Sequence, residues 1–169
     1  EHIDAALKLS PTRQNIYFIL ADHELIQKNV EGALAAFQKA VDLEPHFIVA
    51  QANLARFAIR NNREDVADKA RTDVDTLTPI DFHSGSYAEE LAKVSDEYVT
   101  KEKYVKALAW YELVVRVNPE KAQYRMNIAQ LYLKTGQFQK AIEQAKVAAQ
   151  IDPANFGTQA QELIQEIGG

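Results

Sequence analysis

The chain contains no cysteine. Disulfides, thiol nucleophiles and thiolate metal sites are therefore excluded, while the compartment stays open, because reducing and oxidising environments both tolerate that absence. Long apolar runs are missing too. The longest, "IYFILA" at Ile16 to Ala21, is far short of the roughly 18 residues of a membrane span, so no direct membrane insertion is expected of this segment. Basic excess is absent: 19 Lys and Arg stand against 24 Asp and Glu, a net charge of −5, with no basic cluster. A nucleic-acid partner, which needs such clusters to displace counterions, is not expected. Glycine is sparse, with six residues of which two end the chain, and there is no P-loop, GxGxxG or GxSxG. The opening "EHIDAALKLSP" lacks the basic and apolar regions of a signal peptide. It starts partway through a helical pattern and without Met, as an excised piece of a longer chain would.

Catalytic constellations are equally scarce. The four histidines, His2, His23, His46 and His83, form no HExxH and no pair three or four apart. "DHE" at Asp22 to Glu24 puts consecutive side chains about 100° apart on a helix, where they do not converge on one ion. "DFHSGS" at Asp81 to Ser86 brings Asp, His and Ser together in sequence, but a nucleophilic triad needs a fixed geometry and an oxyanion hole. A turn with a helix cap accounts for it. No catalytic residue, metal site or cofactor is expected, and the chain is read as not an enzyme.

What the chain does have is a repeat. "ALAAFQKAVDLEP" at Ala33 to Pro45 returns as "ALAWYELVVRVNP" at Ala107 to Pro119, 74 positions later. The five prolines, Pro11, Pro45, Pro79, Pro119 and Pro153, are spaced by 34, 34, 40 and 34. Each follows a stretch with apolar residues at helical spacing, such as Leu34, Phe37, Val41 and Leu43. Ser10, Glu44, Thr78, Asn118 and Asp152 precede the prolines, which predicts that each proline opens a helix at its first position behind an N-cap. A second break lies midway, at "KNVEGAL", "NREDVAD", "EKYVKAL" and "GQFQKAI", where only the last has the glycine of a left-handed helix end. Each period is thus two helices of roughly 14 residues joined by short turns, a helical hairpin that must stack on its neighbours to bury its apolar face. With 169 residues, 47% of them apolar, one array with a sizeable core is within reach.

These residues resemble the tetratricopeptide repeat. The fourth copy carries Ile128, Ala129, Tyr132, Gly136, Phe138, Ala141, Ala148 and Pro153; the first carries Tyr17, Leu20, Ala21, Ala33, Phe37, Ala40 and Pro45; the third carries Leu91, Ser95, Tyr98, Tyr104, Ala107, Tyr111 and Pro119. The second keeps Leu54, Ala55, Ala67 and Pro79 but has Ala58, Glu64 and Arg71 where bulky apolar residues are usual. The resemblance implies an all-α helical-hairpin solenoid forming a right-handed superhelix. Residues 1–10 would end a preceding repeat. Repeats would follow over 14–47, 48–81, 88–121 and 122–155, with an insertion at 82–87 and a capping helix at 156–167. Ser86 and Glu89 are spaced as a capping box. Trp110 is read as packing between hairpins rather than as a ligand anchor.

The same resemblance implies that first helices line a concave groove holding a peptide or a partner's helix. Its phase names Phe18, Ile19, Asp22, Asn53, Arg56, Lys93, Asp96, Met126, Asn127 and Gln130 as groove residues, with Arg60, Gln123 and Lys134 beside them. A clamp for a partner's terminal carboxylate is not expected, because Phe18, Asp22 and Glu89 stand where that clamp needs Asn or Lys. Asn53 and Asn127 each suit two hydrogen bonds to an extended backbone. The leading expectation is therefore a non-catalytic protein-interaction scaffold. Two alternatives stand beside it. "ALKLSPTRQNIYFILA" is similar to the start of repeat-bearing tails on bacterial membrane glycosyltransferases of O-antigen ligase or polymerase type, which would make this an accessory tail attached to a membrane protein. Self-association through exposed array ends is the other.

Overall fold

The computed structural model describes residues 2–77 and 85–168. Every regular element among them is helical: α1 (His2–Leu9), α2 (Gln14–Ile26), α3 (Val30–Leu43), α4 (Ile48–Arg60), α5 (Glu64–Thr76), α6 (Gly85–Thr100), α7 (Tyr104–Val117), α8 (Ala122–Lys134), α9 (Phe138–Ile151) and α10 (Pro153–Gly168). The chain divides into two compact units, residues 1–81 and 82–169. In unit 1, α2 packs on α3 and α4 on α5, with α3 against α4 and α1 against α2. In unit 2, α6 packs on α7 and α8 on α9, with α7 against α8 and α10 against both α8 and α9.

Small side chains let the paired helices approach. Ala21, Ala33 and Ala40 in the first hairpin, Ala55, Ala58 and Ala67 in the second, Ser95 and Ala107 in the third, and Ala129, Ala141, Ala145 and Ala148 in the fourth are wholly buried. Helix axes at about 8–10 Å leave no room for a longer side chain at such crossings. Larger residues fill the space beside them, including Leu54, Ile59, Leu91, Val94 and Trp110, all inaccessible to solvent. Trp110 is therefore core, as its place in the pattern predicted.

The turn inside each hairpin is the same device four times. Lys28, Asn62, Glu102 and Gly136 have φ of 59°, 60°, 57° and 72°. The N–H of the following residue, Asn29, Arg63, Lys103 or Gln137, donates to the carbonyl five residues back at 2.8–2.9 Å. The left-handed residue's own N–H donates three back, at 2.9–3.2 Å. This pair of bonds is the Schellman motif, which satisfies carbonyls left over at the helix end. Three of the four positions hold no glycine and accept the strain of a Cβ in the left-handed region.

The prolines correct a sequence expectation. Pro153 does open α10, and the Asp152 carboxylate accepts from the N–H of Asn155 at 3.2 Å, as an N-cap does. Pro11, Pro45 and Pro119 do not open helices. They sit in tight turns between hairpins, and the helices begin after Arg13, Phe47 and Lys121. In two of these turns the closing bond is seen: Arg13 N–H to Ser10 O at 3.2 Å and Phe47 N–H to Glu44 O at 3.0 Å. Proline's fixed φ is as well suited to the second position of such a turn as to a helix start. Ser86 lies in the first turn of α6. Thr78, Pro79 and the Asp, His and Ser at 81, 83 and 84 fall outside the described residues.

Candidate functional site

Each unit carries a cleft to which its first helices contribute most of the lining. In unit 1, α2 supplies Phe18, Asp22 and Leu25, α3 supplies Phe37, and α4 supplies Asn53, Arg56, Phe57 and Arg60, around a volume of about 340 Å³. In unit 2, α6 supplies Asp96 and Val99, α7 supplies Tyr104 and Tyr111, and α8 supplies Asn127, Gln130, Leu131 and Lys134, around about 300 Å³. Seven of the lining positions correspond at a spacing of 74: Asp22 with Asp96, Leu25 with Val99, Phe37 with Tyr111, Asn53 with Asn127, Arg56 with Gln130, Phe57 with Leu131, and Arg60 with Lys134. The clefts are two copies of one construction. Helical spacing explains the lining, since residues three and four apart share a face.

The copies differ in how their polar groups are held. In unit 2 the Tyr111 hydroxyl donates to Asp96 Oδ1 at 3.0 Å and accepts from Asn127 Nδ2 at 2.8 Å. Gln123 Nε2 donates to Asn127 Oδ1 at 2.8 Å, extending the chain of bonds. Burial, then the neighbouring Asp96 charge, push the Tyr111 phenol well above its ordinary range, so it stays a donor. In unit 1, Phe37 has no hydroxyl, and its ring instead meets Phe18 edge-on at 6.2 Å and Phe57 at a tilt at 5.4 Å between centroids. That cleft has an aromatic floor, with Asp22 and Asn53 unbridged.

The structure thus gathers Phe18, Asp22, Asn53 and Arg56 in one cleft and Asp96, Asn127 and Gln130 in the other. Three expected residues are not among them. Met126 is 1% exposed and packs in a core cluster with Ala129, Ala141, Ala145 and Phe156, so its assignment to a ligand face is corrected. Ile19 is 57% exposed but lines neither cleft. Lys93 pairs with Glu90 one turn away on α6. The sequence reading missed Leu25, Phe37, Phe57, Val99, Tyr104, Tyr111 and Leu131. The recurrence of Asp and Asn 74 residues apart, with Phe37 and Tyr111 at corresponding positions, was the signal that points to them. The described residues contain no group of three His, Cys, Asp or Glu arranged to hold a metal ion, and none of their helices is long and apolar enough to cross a membrane.

Stacked antiparallel helix pairs with small residues at the crossings define a helical-hairpin repeat protein. The tetratricopeptide repeat family model matches residues 1–46 and 95–156, and the chain belongs to that family. The BBSome complex member BBS4 homolog of Drosophila melanogaster is 25% identical over 146 residues, covering 83% of this chain and 30% of that protein. The chain therefore spans less than a third of that relative's length. Among solved structures, MamA superposes with a TM-score of 0.55 at 16% identity, over 88% of this chain and 82% of that one. YrrB, described as a TPR protein with an unusual peptide-binding site, superposes at 0.56 with 15% identity, over 99% of this chain and 82% of that one. Both likenesses bear on the fold.

Proposed function

We propose that the chain is a non-catalytic protein-interaction scaffold that holds a segment of a partner protein against the first-helix side of its hairpins. The observation that carries this reading is the pair of corresponding clefts, each joining an Asp and an Asn to an apolar wall. The unit 2 cleft, with Val99, Tyr104 and Leu131 beside a few placed polar groups, has the usual make-up of a recognition site, while four of the eight residues lining the unit 1 cleft are polar or charged. Asparagine offers two donors and an acceptor, which match the alternating groups of an extended backbone. The family is one of interaction scaffolds, and the structural relative YrrB has a peptide-binding site.

The test is to pan a random peptide library displayed on phage against the whole chain, then measure enriched peptides by calorimetry on wild type, Asn53→Ala and Asn127→Ala. Peptides whose affinity falls with either substitution support the reading. Enriched peptides that bind both variants like wild type, or a library that yields no binder, count against it.

A further inference from the structure

The hairpin turns of unit 2, between α6 and α7 and between α8 and α9, lie at one end of that unit, because consecutive antiparallel hairpins stack with α7 on α8. Residues 99–106 and 133–140 surround these turns. They hold five lysines, Lys101, Lys103, Lys106, Lys134 and Lys140, against one acid, Glu102, a net charge of +4 in a chain whose total is −5. No run of the sequence contains this cluster; the fold gathers it from two turns. The matching stretches of unit 1, 74 positions earlier at 25–32 and 59–66, hold Lys28, Arg60 and Arg63 against Glu31, Glu64 and Asp65, a net charge of zero. Two exposed apolar side chains stand among the lysines of unit 2. Val105 is 71% and Phe138 52% exposed, and unit 1 has Glu31 and Glu64 at their positions. Both belong to the first turns of α7 and α9 and line neither cleft. Lys140 Nζ donates to Gln137 Oε1 at 3.0 Å, which keeps its ammonium beside the turn. Glu97 and Glu143 lie roughly a helical turn further in. Glu166, which the last turn of α10 brings to the same end, still leaves a positive excess.

We propose that this turn edge of unit 2 docks on an anionic lipid bilayer, with the lysines against its headgroups and Val105 and Phe138 at the acyl boundary. The chemistry of the edge favours a lipid surface over an acidic protein. Its basic residues are all lysine, which protein interfaces deplete while they enrich arginine. An arginine fork pairs with a fixed carboxylate, whereas a compact ammonium on a flexible stem suits the diffuse charge of a headgroup layer. Apolar side chains that project between such lysines fit the boundary of headgroups and acyl chains. The contact is peripheral and calls for no spanning helix, which none of the described helices supplies. Unit 1 is the built-in control: Ile26 is 77% exposed near its turns, but no charge excess accompanies it.

Vesicle co-sedimentation of the whole chain tests this, with vesicles of phosphatidylcholine alone and of phosphatidylcholine with a third of phosphatidylserine. The chain should bind the charged vesicles and leave the neutral ones, and binding should fall steeply as salt rises. Lys101→Gln with Lys103→Gln should weaken it about fivefold for each lysine. Val105→Glu with Phe138→Glu, which installs the residues of unit 1, should abolish it, and circular dichroism verifies that each variant stays helical. A second readout depends on neither pair. The chain has no cysteine, so Gln139→Cys carries a single environment-sensitive dye at the edge, and Asp65→Cys carries it at the matching place in unit 1. On charged vesicles the emission should shift to the blue for the first label and stay put for the second. Failure to bind charged vesicles at low salt, equally tight binding to neutral ones, indifference to both pairs of substitutions, or equal dye shifts at the two positions each overturn the proposal. So does capture of soluble poly-glutamate in preference to charged vesicles, which would make the edge a site for an acidic protein. Asn53 and Asn127 are untouched by every variant, so the scaffold reading stands or falls separately.

Discussion

In unit 2 the helix α10 buries Phe156, Ala160 and Leu163 against α8 and α9, whereas in α1 of unit 1 no side chain is fully buried and Ile3, Ala6 and Leu7 are half-buried. Around α1, Leu9 is 85% exposed, and on α2 Ile26 is 77% exposed. Both terminal helices are amphipathic, so pattern alone does not decide anchoring. Within the described residues α1 packs mainly on α2, and a helix draws most of its stability from such packing rather than from propensity. α10 has two partners and sixteen residues. The comparison teaches that the second neighbour, rather than the hydrophobic stripe, turns a flanking helix into part of the fold.

The sharpest way to break the comparison is at these ends. Phe156→Ala should cost about 3 kcal/mol, since it removes a large side chain from the cluster built on Ala122, Met126 and Ala129. Deleting residues 1–9 from this segment should cost less than about 1 kcal/mol, because locally unfolding an element with few buried contacts costs little. Urea unfolding followed by residue-resolved spectra would show both, and equal losses would refute the contrast. Next in size are the crossings the two units share. Ala55→Leu in unit 1 and Ala129→Leu in unit 2, both at sites with no accessible surface, should each destabilise by about 1–3 kcal/mol through overpacking.

The hairpin turns should move stability in opposite directions. Lys28→Gly relieves a left-handed residue in unit 1 and should stabilise by about 1 kcal/mol, while Gly136→Ala installs that strain in unit 2 at a cost of about 1–2 kcal/mol. Thermal unfolding checks the signs. The smallest expected effect is electrostatic and belongs to unit 1. Arg63 donates to both oxygens of Glu31 at 2.8 and 3.0 Å and to Asp65 at 3.3 Å, and 74 residues on, positions 105, 137 and 139 hold Val, Gln and Gln. The hydrogen bond from Arg63 holds the Asp65 carboxyl below its ordinary range. The folded chain therefore takes up that proton later than the unfolded chain as pH falls. The contribution is present at neutral pH and fades as pH drops through the carboxylate range. Arg63→Gln should flatten that acid-side dependence slightly and leave the alkaline side unchanged, by stability measurements across pH.

Much of this was legible in the residues. The proline spacing and the alanines at Ala33, Ala67, Ala107 and Ala141 gave the hairpins, because helix crossings tolerate so few side chains. Helix starts were misread, because Ser10-Pro11 and Asn118-Pro119 satisfy the rules for an N-cap and for a tight turn equally well, and only tertiary spacing chooses between them. Three left-handed turns were hidden because Lys28, Asn62 and Glu102 are not glycine. The cleft was half visible. Asp22, Asn53, Asp96 and Asn127 follow from first-helix phase. Phe37 and Tyr111 come from second helices, and their position in the repeat pattern marked them as filler. Met126 shares its helix with Asn127, and the difference of one residue, about 100° of rotation, carries it from the cleft into the core.

The wholly buried alanines at Ala33, Ala55 and Ala67 and their counterparts Ala107, Ala129 and Ala141 have a further meaning for how such a chain changes over time. A methyl group has no rotamers to rearrange, so the backs of the helices transmit nothing when a side chain on the opposite face is exchanged. Phenylalanine can become tyrosine, or arginine glutamine, on the cleft side at little cost in repacking the alanine crossings, as the pairs Phe37 with Tyr111 and Arg56 with Gln130 illustrate. The cleft lining is then free to vary by single steps, while the spine that carries it stays closed to alteration.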